Sequence, residues 1–137
     1  MSIQRVAVIG AIAVVLSAVA AGLIFIGSPA EQRLLRLDER RVQDLVQMAR
    51  VATNRWDQQR ILPAEAADLV DGQWLTRLPA DPTSRAPYEY RVTGPQAFEL
   101  CAVFDRASRP EQTGDFWYHE AGRRCFALEA NGRNRAF

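Results

Sequence analysis

The sequence predicts an α+β protein: an N-terminal transmembrane helix continues into a long amphipathic helix packed on a small antiparallel sheet of three or four strands. Three observations predict it. Val6 to Ile26 is an uncharged apolar run. Apolar residues recur at three- and four-residue steps between Val42 and Trp56, the period of one helix face. From Tyr88 onward, apolar and polar residues alternate with period two, as half-buried strands require.

The apolar run, "VAVIGAIAVVLSAVAAGLIFI", has 21 residues and one hydroxyl, Ser17. At about 1.5 Å per residue, a helix of that length covers the roughly 30 Å hydrocarbon core of a bilayer. A helix bonds all its own backbone groups, so it is the structure such a segment takes in lipid. Ala18 to Ala20 resemble a signal-peptidase site, but "GLIFIG" carries the run past the length of a signal h-region, about 7–15 residues. The segment therefore reads as a retained anchor. Residues 1–5 form a short tail, 6–26 the span, 27–128 a folded domain, and 129–137 a loosely ordered tail without pattern.

Of the 17 basic residues, all arginine, only Arg5 precedes the span; the other 16 balance the 16 acidic residues. A formally neutral domain lacks the positive excess that binding to nucleic acid needs. The expected partner is instead the lipid bilayer, through residues 6–26.

After the span, Ser28 is placed to cap a helix with Pro29 in its first turn. The packing stripe of that helix is Val42, Leu45, Ala49, Ala52 and Trp56. Arg36, Asp38, Arg40, Arg41, Asp44, Arg50 and Arg55 fall on its other faces, with Asp38 and Arg41 an i,i+3 surface pair worth a few tenths of a kcal/mol. Two clear heptads are too few for a coiled coil, so the stripe is expected to pack on the domain's own sheet. The helix also offers a surface for a protein partner or for self-association. Beyond Gln59, Pro63 starts a short helix whose buried side ends at Leu69 and Val70. "WLTRLPADPTSRAPYEY" is an irregular loop with a turn at Asp81-Pro82, tied to the core by Trp74, Leu75 and Leu78. "YEYRV" and "FELCAVF" form a hairpin through "TGPQ". Asp105 to Asp115 is a polar surface loop, and "FWYHE" and "RCFAL" form a second strand pair.

Little here is arranged for chemistry. Cys101 and Cys125 lie 24 positions apart and neither sits in a CxxC. By strand parity both point away from the aromatic face of their strands, which suits a disulfide closing a loop of about 25 residues. His119, beside Glu120, is the obvious acid–base candidate. A Cys–His pair would need a free thiolate, and a lone strand-end histidine reads as structural or solvated. Asp81, Asp105 and Asp115 are too scattered for a calcium loop and read as solvated turn residues. No Gly-rich phosphate loop, GxSxG, HExxH or internal repeat is present. The expectation is a non-enzymatic chain with no catalytic, cofactor or metal residues.

The order of features (apolar helix, amphipathic helix, Leu62-Pro63, "LPADPTSRAPYEY", "FELCAVF") resembles the globular domain of type II secretion pseudopilins, the major pseudopilin above all. The resemblance covers roughly Glu31 to Phe104. It implies that Leu62, Pro63, Asp81, Pro82, Pro87, Tyr88 and Tyr90 are scaffold residues setting the helix-to-sheet crossing. Pseudopilins carry a prepilin-peptidase site, a Gly before the apolar segment and a Glu shortly after the cut. "MSIQRVAVIG" has neither, so the resemblance implies the fold on an uncleaved anchor. The family's calcium loop has no match after Phe104.

The side of the membrane follows from two opposed signals. Arg33, Arg36, Arg40 and Arg41 after the span favour the alternative, a cytoplasm-facing regulatory or enzymatic domain with free thiols. An even cysteine count behind an anchor favours an oxidising compartment, and long domains translocate despite flanking charge. The expectation is a single-pass protein of a bacterial inner membrane, with its C-terminal domain in the periplasm as a structural or interaction module of a secretion or envelope assembly.

Overall fold

The computed structural model describes residues 2–26 and 28–131. The chain forms two compact units, residues 1–33 and 34–137.

In the first unit, α1 (Ile3–Ile26) is apolar on every side beyond Gln4 and Arg5, and its described side chains stand exposed, Ile24 at 81%. It is long and apolar enough to cross a membrane. The Ser17 hydroxyl donates to the Ala13 carbonyl at 2.8 Å, so its polar hydrogen is satisfied within the helix.

α2 (Pro29–Gln59) starts where the Glu31 N–H donates to the Ser28 hydroxyl oxygen at 3.2 Å. It ends at Arg60, which turns to φ 58° and stacks its guanidinium over the Trp56 ring. Leu45, Ala49 and Ala52 are fully buried, while Val42 and Trp56 are partly buried at the edge of the core. Met48, between them on the same face, is fully buried as well.

The second unit has three strands, β1 (Glu89–Gly94), β2 (Ala97–Phe104) and β3 (Gly122–Glu129), in the antiparallel order β1-β2-β3. The α+β class is thus observed, with three strands. Phe98, Leu100, Phe104, Phe126 and Leu128 on one sheet face join the α2 stripe in a single core. Cys101 stands opposite Cys125 in register, and a disulfide joins them.

Several local expectations are corrected. "FWYHE" is no strand: Tyr118 donates its N–H to the Asp115 carbonyl in a turn, and the Phe116 and Trp117 rings lie against Phe126. Phe116 and Trp117 both pack on the core instead of alternating across a sheet. After Pro63 only a short 3-10 turn forms (Ala66–Leu69); Leu69 is buried but Val70 is 39% exposed. Leu75 is buried and Leu78 packs at the core's edge, whereas Trp74 stands 56% exposed. The expected tail at 129–137 begins later: Glu129 ends β3, and Ala130 is buried with its N–H on the Gln96 carbonyl. Residues 132–137 lie outside the described residues.

Candidate functional site

Polar structure gathers where the first turns of α2 meet the loops at 80–87 and 105–119. Its centre is Arg41, 3% exposed. Its Nε donates to Asp81 at 2.6 Å, and its Nη1 to Asp38 and Asp105, each at 2.6 Å. Its Nη2 reaches the Thr83 hydroxyl at 3.1 Å. A buried guanidinium thus holds one carboxylate from its own helix and one from each of two loops, with a fixed fork that an ammonium lacks.

Three carboxylates against one cation leave excess negative charge, and the backbone absorbs it. The N–H groups of Asp105 and Arg106 donate to Asp38 at 2.9 and 2.8 Å. Those of Thr83 and Ser84 donate to Asp81 at 2.9 and 2.8 Å, and the Asp105 side chain is 40% open to water. Burial opposes ionisation of Asp81, but the Arg41 hydrogen bond and the two amides outweigh it and hold its pKa down at about 2. Burial likewise works against the Arg41 charge, and its carboxylate partners reverse this and raise its pKa.

Next to this hub, Asp44 (9% exposed) accepts the Tyr88 hydroxyl at 3.0 Å and pairs with Arg40. Burial, then the Asp44 charge, push the Tyr88 phenol far above its ordinary pKa. The Tyr90 hydroxyl donates to the Pro63 carbonyl at 2.9 Å, and burial followed by the Asp68 charge raises its pKa to about 12. Leu62 is buried, Pro82 lies in the exposed turn after Asp81, and Pro87 bridges to Ala80. Of the expected scaffold residues, Asp81 and Tyr88 bond to α2 through Arg41 and Asp44, and Tyr90 of β1 bonds to Pro63 in the segment after α2.

On the other side of Asp38 is a cleft of about 220 Å³, walled by Leu35, Glu39 and Val42 of α2 and by Trp117, Tyr118 and His119. His119 is 6% exposed and its ring stacks on Phe104, centroids 3.6 Å apart. Its Nδ1 lies 2.9 Å from the Trp117 carbonyl and 2.9 Å from the Ser108 hydroxyl. A carbonyl only accepts, so that contact requires a proton on Nδ1, and the Ser108 oxygen then shares the same proton. The Ser108 oxygen also accepts the His119 N–H at 3.0 Å. With Nδ1 protonated, the imidazole cannot take the Ser108 proton through this contact. Ser108 and His119 tie the loop to itself rather than form an activated nucleophile.

Among the described residues, no group of three or more His, Cys, Asp or Glu is disposed to hold a metal ion. Asp81 and Asp105 are not the solvated turn residues the sequence suggested: both converge on Arg41, while Asp115 lies apart on the cleft rim. Asp38, Arg41 and Asp44 were expected on outer faces of α2 and are buried. A signal for two of them was present. Asp38 and Arg41 stand three- and four-residue steps upstream of Leu45, Met48 and Ala52, in register with the buried face.

No family model, no curated protein and no solved structure matches this chain.

Proposed function

We propose that this chain is a single-pass, membrane-anchored, non-enzymatic interaction module with a pseudopilin-like domain. In this reading it serves a secretion or envelope assembly from the periplasmic side of a bacterial inner membrane. The carrying observation is the Cys101–Cys125 disulfide in a domain that follows a helix fit to cross a membrane. Disulfides persist in oxidising compartments and are rare in the cytosol. The non-enzymatic part is supported by how the polar groups are used. Arg41, Asp38, Asp81, Ser108 and His119 spend their hydrogen bonds on joining elements of the fold.

A C-terminal reporter active only outside the cytoplasm, with thiol alkylation in intact cells, tests the reading. The expected result is an active reporter and thiols that label only after reductant. Freely labelled cysteines in cells, with a silent reporter, would instead favour the cytoplasmic domain that Arg33, Arg36, Arg40 and Arg41 suggest. Turnover of a substrate by the purified chain, abolished in His119→Ala, would overturn the non-enzymatic part.

A further inference from the structure

The face of α2 turned away from the sheet has an unusual charge pattern. Arg36, Arg40, Gln43, Gln47, Arg50 and Asn54 recur at three- and four-residue steps with no carboxylate among them. All but Asn54 are exposed. Beside this face run two hollows of about 760 and 390 Å³, which share Gln47 and Trp74 and so meet at that tryptophan. Their walls are apolar at Leu37, Leu78 and Pro79 and cationic at Arg40, Arg50 and Arg77. Arg50 and Arg77 make no ion pair with any described residue. Asp44, the one carboxylate lining the hollows, is buried and already bonded to Tyr88 and Arg40. Trp74 stands 56% exposed in the middle, although a tryptophan is usually well buried.

We infer that this groove is a docking site for an acidic, extended segment of a partner protein, with one aromatic or aliphatic side chain set against Trp74. The inference rests on the interaction-module reading only in requiring a partner. Charge complementarity selects the sign of the occupant: Arg50 and Arg77 face the groove uncommitted, Arg40 is paired with Asp44, and the Asp71 carboxylate beside Trp74 is taken up by the backbone N–H groups of Gln73, Trp74 and Leu75. Shape selects a peptide chain. A concave trough with mixed apolar and polar walls fits a strand of alternating side chains better than a flat lipid surface, and the neutral domain lacks the phosphate-binding excess a nucleic acid needs. Spacing fits too. Arg40 and Arg50 lie about 15 Å apart along the helix, the span of about five extended residues. The exposed tryptophan flanked by arginines has the composition of a binding hot spot.

The test uses the full chain in phosphatidylcholine nanodiscs and a random dodecamer peptide display library. The expected result is enrichment of peptides with net negative charge and one large apolar residue. Their affinity falls at least about tenfold in Arg50→Glu/Arg77→Glu, falls several-fold in Trp74→Ala, is unchanged in Arg109→Glu, and weakens with salt. All four positions are exposed, and an unchanged thermal midpoint of each variant shows that the fold survives. Neutral or basic selected peptides, no enrichment, or binding indifferent to the double reversal overturns the inference. So does Arg50- and Arg77-dependent binding to phosphatidylglycerol vesicles, or self-association lost in the double variant, when no acidic peptide is selected. Failure here leaves the reporter and alkylation results untouched, so the two readings fail separately.

Discussion

At the scale of single residues, Arg41 decides most. Removing one partner of a buried ionic cluster strands the others, at a cost of about 3–5 kcal/mol. Arg41→Met is expected to destabilise the chain by that order in urea denaturation, through the uncompensated charges of Asp38, Asp81 and Asp105. Arg41→Lys should recover only part of the loss, because one ammonium cannot span three carboxylates from two loops and a helix. Equal stability of Arg41→Met and the parent would show that the cluster contributes nothing. Asp81 adds a pH dependence. Its pKa is lower in the folded chain, about 2 against 3.8, so its contribution is present in full above pH 3.8 and lost as pH falls toward 2. The loss is on the order of 2 kcal/mol, and Asp81→Asn should flatten that part of the stability-against-pH curve. Sequence pattern alone under-read this cluster. The helical period places Asp38 and Arg41 in register with the buried face, but nothing in the sequence says that Asp81 and Asp105 meet them there.

At the scale of elements, the disulfide and the stripe of α2 can be set against each other. In the chain-entropy model, closing a loop of about 25 residues is worth about 3 kcal/mol. Cys101→Ser/Cys125→Ser is therefore expected to lower the unfolding free energy by about that amount, and an unchanged urea midpoint would contradict it. Leu45 is fully buried against the sheet, and Leu45→Ala should cost about 2–5 kcal/mol by leaving a cavity. The central part of the stripe was legible because burial on one helix face imposes a 3.6-residue period. Strand parity was legible for the same kind of reason, and it set both cysteines away from the aromatic face. The segment at 116–120 was not. Its aromatic residues carry high β-propensity, yet packing on Phe126 holds them in a turn, and propensity yields to such tertiary contacts.

At the scale of the whole molecule, the apolar helix and the folded domain belong to two separate compact units. Among the described residues, the buried hydrophobic core draws on positions from Leu45 onward. A chain lacking residues 1–26 is expected to move from the membrane pellet to the soluble fraction with its urea midpoint unchanged. A full-length chain released by alkaline carbonate would count against the anchor. The α+β class, the membrane-length apolar helix, the hairpin and the facing of the cysteines can all be read along the chain. These follow from periodicity and composition, which local geometry imposes on neighbours in the chain. That Arg41 gathers Asp38, Asp81 and Asp105, that Ser108 and His119 bind the loop to itself, and that Trp74 stands open beside a basic groove emerge from the folded packing alone. Those facts depend on which distant segments meet, and a charged or aromatic side chain carries the same letter whether its partner is water, another residue or nothing at all.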